Sequence, residues 1–245
     1  MLFRSSIGNS YFNRFIMLGY LSLADIGLFT IAAKLTSGFN LIESAVNLAW
    51  YPFFYEQLES NAEHKIIFQK ISKYLTIIIF GLISIFVLYT KDFLIILTTK
   101  NYYKAMPIMS ILALASGLTI SKITIDLGTL ISKKTIYDTY AYLGSAVINI
   151  ISLFILVPLV GLIGVPISLL LGSFALLIIS WTVSEKLYYI GFKKLPFALS
   201  FLGALSIALF TIFVELNMTM KIGITLASLL LLATTFWKSK LVIKY

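Results

Sequence analysis

Long apolar segments recur along the chain, and short polar connections separate them. The segments that fit a membrane span are 7–23, 26–54, 74–89, 106–131, 137–157, 162–183, 197–214 and 222–237, of which the first is the weakest. A helical span needs about 20 mostly apolar residues, whereas strands of a membrane barrel alternate about every second residue. The pattern therefore predicts an all-α polytopic membrane bundle of about eight transmembrane helices.

The composition excludes the soluble class. Of the 245 residues, 60% are hydrophobic and 12% are charged, whereas soluble domains have about 45–50% apolar and about 25% charged residues. The chain has no cysteine, which excludes disulfides and thiolate chemistry. Its first residues lack the apolar core and cleavage site of a signal peptide.

The distribution of lysine and arginine predicts an orientation. With the N-terminus in the cytoplasm, the cytoplasmic segments contain twelve of the nineteen basic residues, the opposite side contains four, and the spans contain three. Cytoplasmic loops collect Lys and Arg, so this bias predicts both termini in the cytoplasm. The net charge of +9 thus reports orientation and does not indicate a nucleic-acid partner.

A polar stripe follows the fourth segment, 106–131. Its members recur at steps of three and four residues: Ser116, Thr119, Lys122, Asp126, Thr129 and Lys133. Lys122 and Asp126 are four residues apart, so they can pair on one helix face. Two interpretations stay open, an internal ion pair that stabilises helix packing and the lining of a hydrated cavity.

A second polar face, in segment 26–54, includes Asn40, Glu43 and Asn47. Glu43 has no neighbouring cation in the sequence, and an unpaired buried carboxylate tends to take up a proton. It is therefore either a site for a coupling proton or sodium ion, or a protonated residue that is hydrogen-bonded to Asn40 or Asn47. Lys34 does not share this face, and either snorkels to the interface or lines another surface.

The remaining candidates lie in the first and fifth segments. Arg14 and Asp25 are eleven residues apart, or about 16 Å along a helix, which is too far for a direct pair. Arg14 is either a snorkelling interfacial residue or a cation that binds phosphate bidentately, and Asp25 precedes the next helix at an outer turn. Asn149 lies on a face of small polar residues, which most often mediate helix contacts.

Catalytic motifs are missing from the sequence. No Gly-rich phosphate loop is present, and the single histidine, His64, is a weak signal for a metal. Short outer loops without a carboxylate cluster disfavour a membrane polymerase or glycosyltransferase. The sequence thus predicts no enzyme activity, no catalytic residue, no metal and no cofactor.

Four stretches carry a family resemblance: "NRFIMLGYLSLADIGLFTIAAKL", "NLAWYPFFYEQ", "ISKKTIY" and "NIISLFILVPLVGLIGVPIS". Their order across residues 11–172 resembles the oligosaccharide flippases (Wzx-like polysaccharide biosynthesis proteins) of the multidrug, oligosaccharidyl-lipid and polysaccharide exporter superfamily. One position departs from the pattern, since Asn13 stands where this family often has Asp.

The resemblance implies a domain organisation. Family members have two six-helix lobes, and the matched stretches correspond to the second lobe of this exporter fold. By this resemblance, residues 1–191 form a six-helix C-terminal transporter lobe and residues 192–245 add two helices. The first lobe is then part of a longer protein or is supplied by a partner.

The resemblance also implies a function. The family moves an undecaprenyl-pyrophosphate-linked oligosaccharide across the bacterial cytoplasmic (inner) membrane, for O-antigen, lipopolysaccharide, capsule or other cell-surface polysaccharide, and its proteins work beside polysaccharide polymerases and glycosyltransferases. The implied substrate-binding residues are Arg14, Lys34 and Lys122, the implied ion-coupling residues are Asp25, Glu43 and Asp126, and the implied cavity-lining residues are Asn40, Asn47, Thr119 and Asn149.

Two alternatives stay open at this point. One is another exporter of the same superfamily, either a peptidoglycan-precursor flippase or a cation-coupled drug antiporter, which should favour acidic residues in its cavity. The other is a non-catalytic membrane subunit or a non-functional half-transporter.

Overall fold

Helices account for nearly all of the chain that the structure covers. The structure, a computed structural model, describes residues 16–60, 63–214 and 217–240, and these contain no strand. The helices are α1 (Leu23–Thr36), α2 (Gly38–Ser60), α3 (His64–Leu88), α4 (Thr90–Leu97), α5 (Met106–Ile125), α6 (Gly128–Ile131), α7 (Ile136–Val160), α8 (Gly164–Leu187), α9 (Lys194–Phe213) and α10 (Met218–Lys240). Residues 16–20 are also helical, and 3₁₀ turns span Lys100–Ala105 and Gly161–Ile163.

Four segments of the described residues are long and apolar enough to cross a membrane. They are His64–Leu88, Lys100–Ile131, Ile136–Leu187 and Lys194–Phe213. The third contains both α7 and α8, which a 3₁₀ turn joins. The all-helical architecture is thus confirmed, and the membrane assignment rests on these segments, while the count of eight spans and the exporter fold stay predictions.

The predicted span 26–54 is divided into α1 and α2. The break is at Ser37, whose hydroxyl donates to the carbonyl of Lys34 over 2.6 Å and whose N–H reaches the carbonyl of Ala33 over 2.9 Å. Gly38 follows directly. A serine that bonds back to the preceding turn, followed by glycine, favours the end of one helix and the start of another.

Helix α5 lies at the centre of the bundle. It packs against α1, α2, α3, α4, α8 and α9, and its Leu114 and Leu118 share a buried cluster with Phe80 and Ile83 of α3 and Leu177 of α8. A helix that is covered on several sides must be apolar around most of its circumference. Any charged side chain on α5 is therefore buried and needs a partner.

Helices α5 and α8 run in the same direction. Leu162, just before α8, packs against the buried cluster that contains Ile108 and Met109 at the start of α5. Ser184 near the end of α8 donates to the carbonyl of Ile125 at the end of α5. Helix α7, which lies between α5 and α8 in the sequence, runs in the opposite direction and packs mainly on α8. Its other face exposes large apolar side chains, as expected toward lipid: Leu143, Val147, Ile151, Phe154 and Leu159.

The predicted span 106–131 is interrupted near its end. Helix α5 stops at Ile125 and α6 begins at Gly128. The N–H of Gly128 donates to Ser184 Oγ over 2.7 Å, and Ser184 Oγ donates to the carbonyl of Ile125 over 3.0 Å. One serine hydroxyl thus satisfies two backbone groups that the interruption frees, as a buried or lipid-embedded break requires.

Gly128 gives a test of this contact. A Cβ added there would clash with the backbone oxygen of Ser184, whereas a Cβ at Gly203 of α9 would meet nothing within 4 Å. We expect Gly128→Ala to lower the free energy of unfolding by about 1–3 kcal/mol, because α8 must move away. Gly203→Ala is the matched control and should be neutral or slightly stabilising. Thermal denaturation in detergent compares them, and equal midpoints would contradict the close approach of α5 and α8.

Candidate functional site

A buried ionic cluster lies where α5 ends, and we call Lys122, Asp126, Asp138 and Tyr142 the Lys122 cluster. Lys122 Nζ lies 2.9 Å from Asp126 Oδ2 and 2.5 Å from Asp138 Oδ1. It also lies 4.6 Å from the centre of the Tyr142 ring. The predicted pair of Lys122 and Asp126 is confirmed, and two residues of α7 complete it.

The connection from α5 to α7 brings these residues together. The chain turns after α6, where Lys133 adopts a positive φ of 56°, and α7 then returns alongside. Lys122 and Asp138 are equally far from Leu130 in the sequence, so they meet across this hairpin. The sequence analysis did not select Asp138. Its position gives one signal, because Asp138 lies four residues before Tyr142 and therefore on the same polar face of the helix.

The charges of the cluster are held by complementary contacts. Lys122 and Asp126 are each only 6% exposed, so their charges need partners to offset desolvation. Thr129 Oγ1 donates to Asp126 Oδ1 over 3.0 Å. The ammonium lies in the last turn of α5, where the helix dipole favours a cation, and the Tyr142 ring adds a cation–π contact.

The cluster faces α2 as well as α7. Glu43 and Tyr51 of α2 are half-buried, and both are close enough for the charge of Lys122 to act on them. The fold thus brings a cation from α5 within electrostatic range of Glu43, which has none near it in the sequence. The carboxylates of Glu43, Asp126 and Asp138 and the ammonium of Lys122 lie in a partly exposed region between α2 and α7, which we call the cleft.

The polar neighbours of Glu43 on α2 have separate contacts. Asn47 Nδ2 donates to the backbone carbonyl of Glu43 over 3.0 Å, and Asn40 is exposed. Thr119 is half-buried and shares the helix face of Lys122, where its hydroxyl bonds to the carbonyl of Ala115. The hydrogen bonds of Asn47 and Thr119 are thus made within their own helices, and a role in lining a cavity stays a prediction for both residues and for Asn40.

Other candidates lie away from the Lys122 cluster. Asn149 is buried against Gly172 between α7 and α8, which fits a helix contact. Lys34 is exposed in the last turn of α1. Asp25 forms a capping box with Ser22 at the start of α1, which gives its carboxylate a local partner. Arg14 lies outside the described residues.

Removal of the ammonium should destabilise the protein. Lys122→Met leaves the buried carboxylate of Asp126 and the half-buried carboxylate of Asp138 without their counter-ion, so we expect a loss of about 3–5 kcal/mol in the free energy of unfolding. Lys34→Met is the matched control at an exposed lysine and should stay within about 0.5 kcal/mol of wild type.

A charge-free combination makes this experiment specific. In Lys122→Met with Asp126→Asn and Asp138→Asn, no buried charge is left unpaired, so much of the lost stability should return. Denaturant unfolding in detergent measures all the variants. A triple variant that is less stable than Lys122→Met would show that the packing of the lysine stem, and not its charge, is what α5 needs.

Comparison with known proteins leaves the family open. The chain matches no model of a protein family, no curated protein and no solved structure. The resemblance to oligosaccharide flippases therefore rests on the sequence motifs, and any functional argument rests on the geometry of the Lys122 cluster and its cleft.

Proposed function

We propose that this chain is the C-terminal part of an inner-membrane transporter that moves undecaprenyl-pyrophosphate-linked oligosaccharide from the cytoplasmic to the outer leaflet. The observation that carries the proposal is the Lys122 cluster at the interruption of the central helix. Charged residues inside membrane helices usually mark substrate or ion pathways. Interrupted helices are the common way in which transporters build such sites.

Access from the cleft favours a transport role over a purely structural ion pair. The Asp138 side chain is 23% exposed, and Glu43 and Tyr51 across the cleft are half-buried. An ion pair that only joined helices would need neither a third carboxylate nor partial exposure. The polar stripe predicted along α5 thus leads to a cluster that is partly exposed at Asp138.

The arrangement supports an exchange of partners at Lys122. Asp126 and Asp138 pair with the ammonium in the structure. A pyrophosphate is a stronger anionic partner, and proton uptake by either aspartate would weaken the competing contact. Lys122 would then bind the pyrophosphate, and loss of the proton would restore the original pair and release the substrate. Rocking of two lobes around this site completes the cycle, so the scheme includes an N-terminal lobe as partner.

One observation favours a second candidate, a cation-coupled exporter of the same superfamily. Glu43, Asp126 and Asp138 outnumber Lys122 in the cleft, so its net charge with all groups ionised is negative. Such a cleft attracts cationic compounds. The two candidates therefore differ in the charge of the compound that the cleft binds, which is an anion for the flippase and a cation for the exporter.

Complementation separates the candidates. We expect the chain, expressed with a flippase N-terminal lobe in a flippase-null strain, to restore surface polysaccharide. Lys122→Gln should reduce the surface polysaccharide at least about tenfold, which is equivalent to losing about 1.4 kcal/mol of interaction. Lys70→Gln, at a lysine of α3 outside the cleft, is the control and should keep full activity.

Two results would contradict the flippase. One is full polysaccharide with Lys122→Gln at normal protein levels. The other is a strain that gains resistance to cationic drugs, loses this resistance with Asp138→Asn, and never regains surface polysaccharide. This result would favour the cation-coupled exporter.

A further inference from the structure

The two aspartates of the Lys122 cluster differ in how firmly the fold holds them. Asp126 is 6% exposed, and both of its carboxylate oxygens have partners, Lys122 Nζ at 2.9 Å from Oδ2 and Thr129 Oγ1 at 3.0 Å from Oδ1. The Asp138 side chain is 23% exposed and contacts Lys122 through Oδ1. In the part of the chain that the structure describes, no donor bonds to Asp138 Oδ2. Asp126 is thus enclosed by its contacts, whereas Asp138 is bonded on one oxygen and is partly exposed.

The helix ends add to this difference. Asp126 is the C-cap of α5, and the C-terminal end of a helix is negative, so a carboxylate there is unfavourable without a cation beside it. Asp138 lies in the first turn of α7, and the N-terminal end of a helix is positive and favours a carboxylate. The charge of Asp126 therefore depends on Lys122, whereas the charge of Asp138 is also stabilised by its own helix.

The position of each aspartate in the chain limits which contact can open. Lys122 and Asp126 are four residues apart on one helix, so their side chains stay neighbours as long as α5 is helical. Asp138 reaches Lys122 from α7, which packs mainly on α8. A change of the Asp138 rotamer separates the two side chains without any change in α5. The contact between Lys122 and Asp138 is therefore the one that opens at the lower cost.

We propose that Asp138 is the partner that Lys122 exchanges for an anionic ligand, and that Asp126 stays paired with Lys122 throughout. The ligand is a pyrophosphate group, which takes the place of the Asp138 carboxylate at the partly exposed side of the cluster. This inference rests on the function proposed above, in which either aspartate gives way, and it assigns the exchange to one of them. Because the ligand must compete with Asp138, this residue sets the apparent affinity of the site.

Two variants that each remove one charge test this assignment in the purified full chain. In nanodiscs, Asp138→Asn should bind undecaprenyl pyrophosphate about tenfold more tightly than wild type, because Lys122 is no longer held from the exposed side. Asp126→Asn removes the same charge beside the same ammonium and should bind no more tightly than wild type, because Asp138 still competes. Microscale thermophoresis measures the dissociation constants. Equal tightening in the two variants, or a larger effect of Asp126→Asn, would overturn the proposal.

Matched variants and ligands make the binding result specific. Glu59→Gln, at an exposed carboxylate of α2, should leave the affinity near that of wild type, and Asp138→Glu should restore the competition that Asp138→Asn removes. Undecaprenol, which has no charge, should not distinguish the variants. The same tightening with inorganic pyrophosphate as with the lipid would support the exchange at Asp138 but assign it to a soluble anion, which would contradict the flippase.

An experiment without ligand separates failure of this proposal from failure of the proposed function. In the Lys122→Met background, Asp126→Asn should restore most of the lost thermal stability, because the charge of Asp126 depends on Lys122, whereas Asp138→Asn should restore little. Thermal denaturation in detergent gives the midpoints, and the reverse order would overturn the proposal even if the lipid binds. The expected order, with no pyrophosphate bound by any variant, would contradict the flippase and the identity of the ligand, and would still support Asp138 as the contact that opens.

Discussion

The buried ammonium of Lys122 sets the constraint on which the centre of this bundle depends. Helix α5 is covered by six neighbouring helices, so a charge on it is largely removed from water and must be offset by groups from the protein. Asp126 supplies one carboxylate from the same helix and Asp138 supplies another from α7. The register between α5 and α7 is thereby specified by a charge contact between the two helices.

The same region shows what local sequence patterns can and cannot predict. The pairing of Lys122 with Asp126 follows from helix geometry alone, because residues four apart share a face. The interruption after Ile125 does not, since its backbone groups are satisfied by Ser184, more than fifty residues later. A stretch that reads as one apolar span is divided by a contact that only the folded chain contains.

Two charged residues differ in how far the sequence predicts their surroundings. The sequence places Asp25 at an outer turn before the next helix, and the structure shows it there in a capping box with Ser22, as the local spacing of serine and acid indicates. Glu43 read as isolated, yet Lys122 lies within its electrostatic range, which no local pattern could show. The general architecture was predictable because hydropathy determines it, whereas partners across helices depend on packing.

The end of α5 also joins the Lys122 cluster to a second polar region of the molecule. Ile125 lines a small polar cavity between α3 and α9, and the next residue, Asp126, belongs to the Lys122 cluster. On α8, Ser184 holds the interruption of α5, while Glu185 beside it holds the link between α8 and α9. A shift of this end of α5 or of the last turn of α8 therefore changes both regions at once.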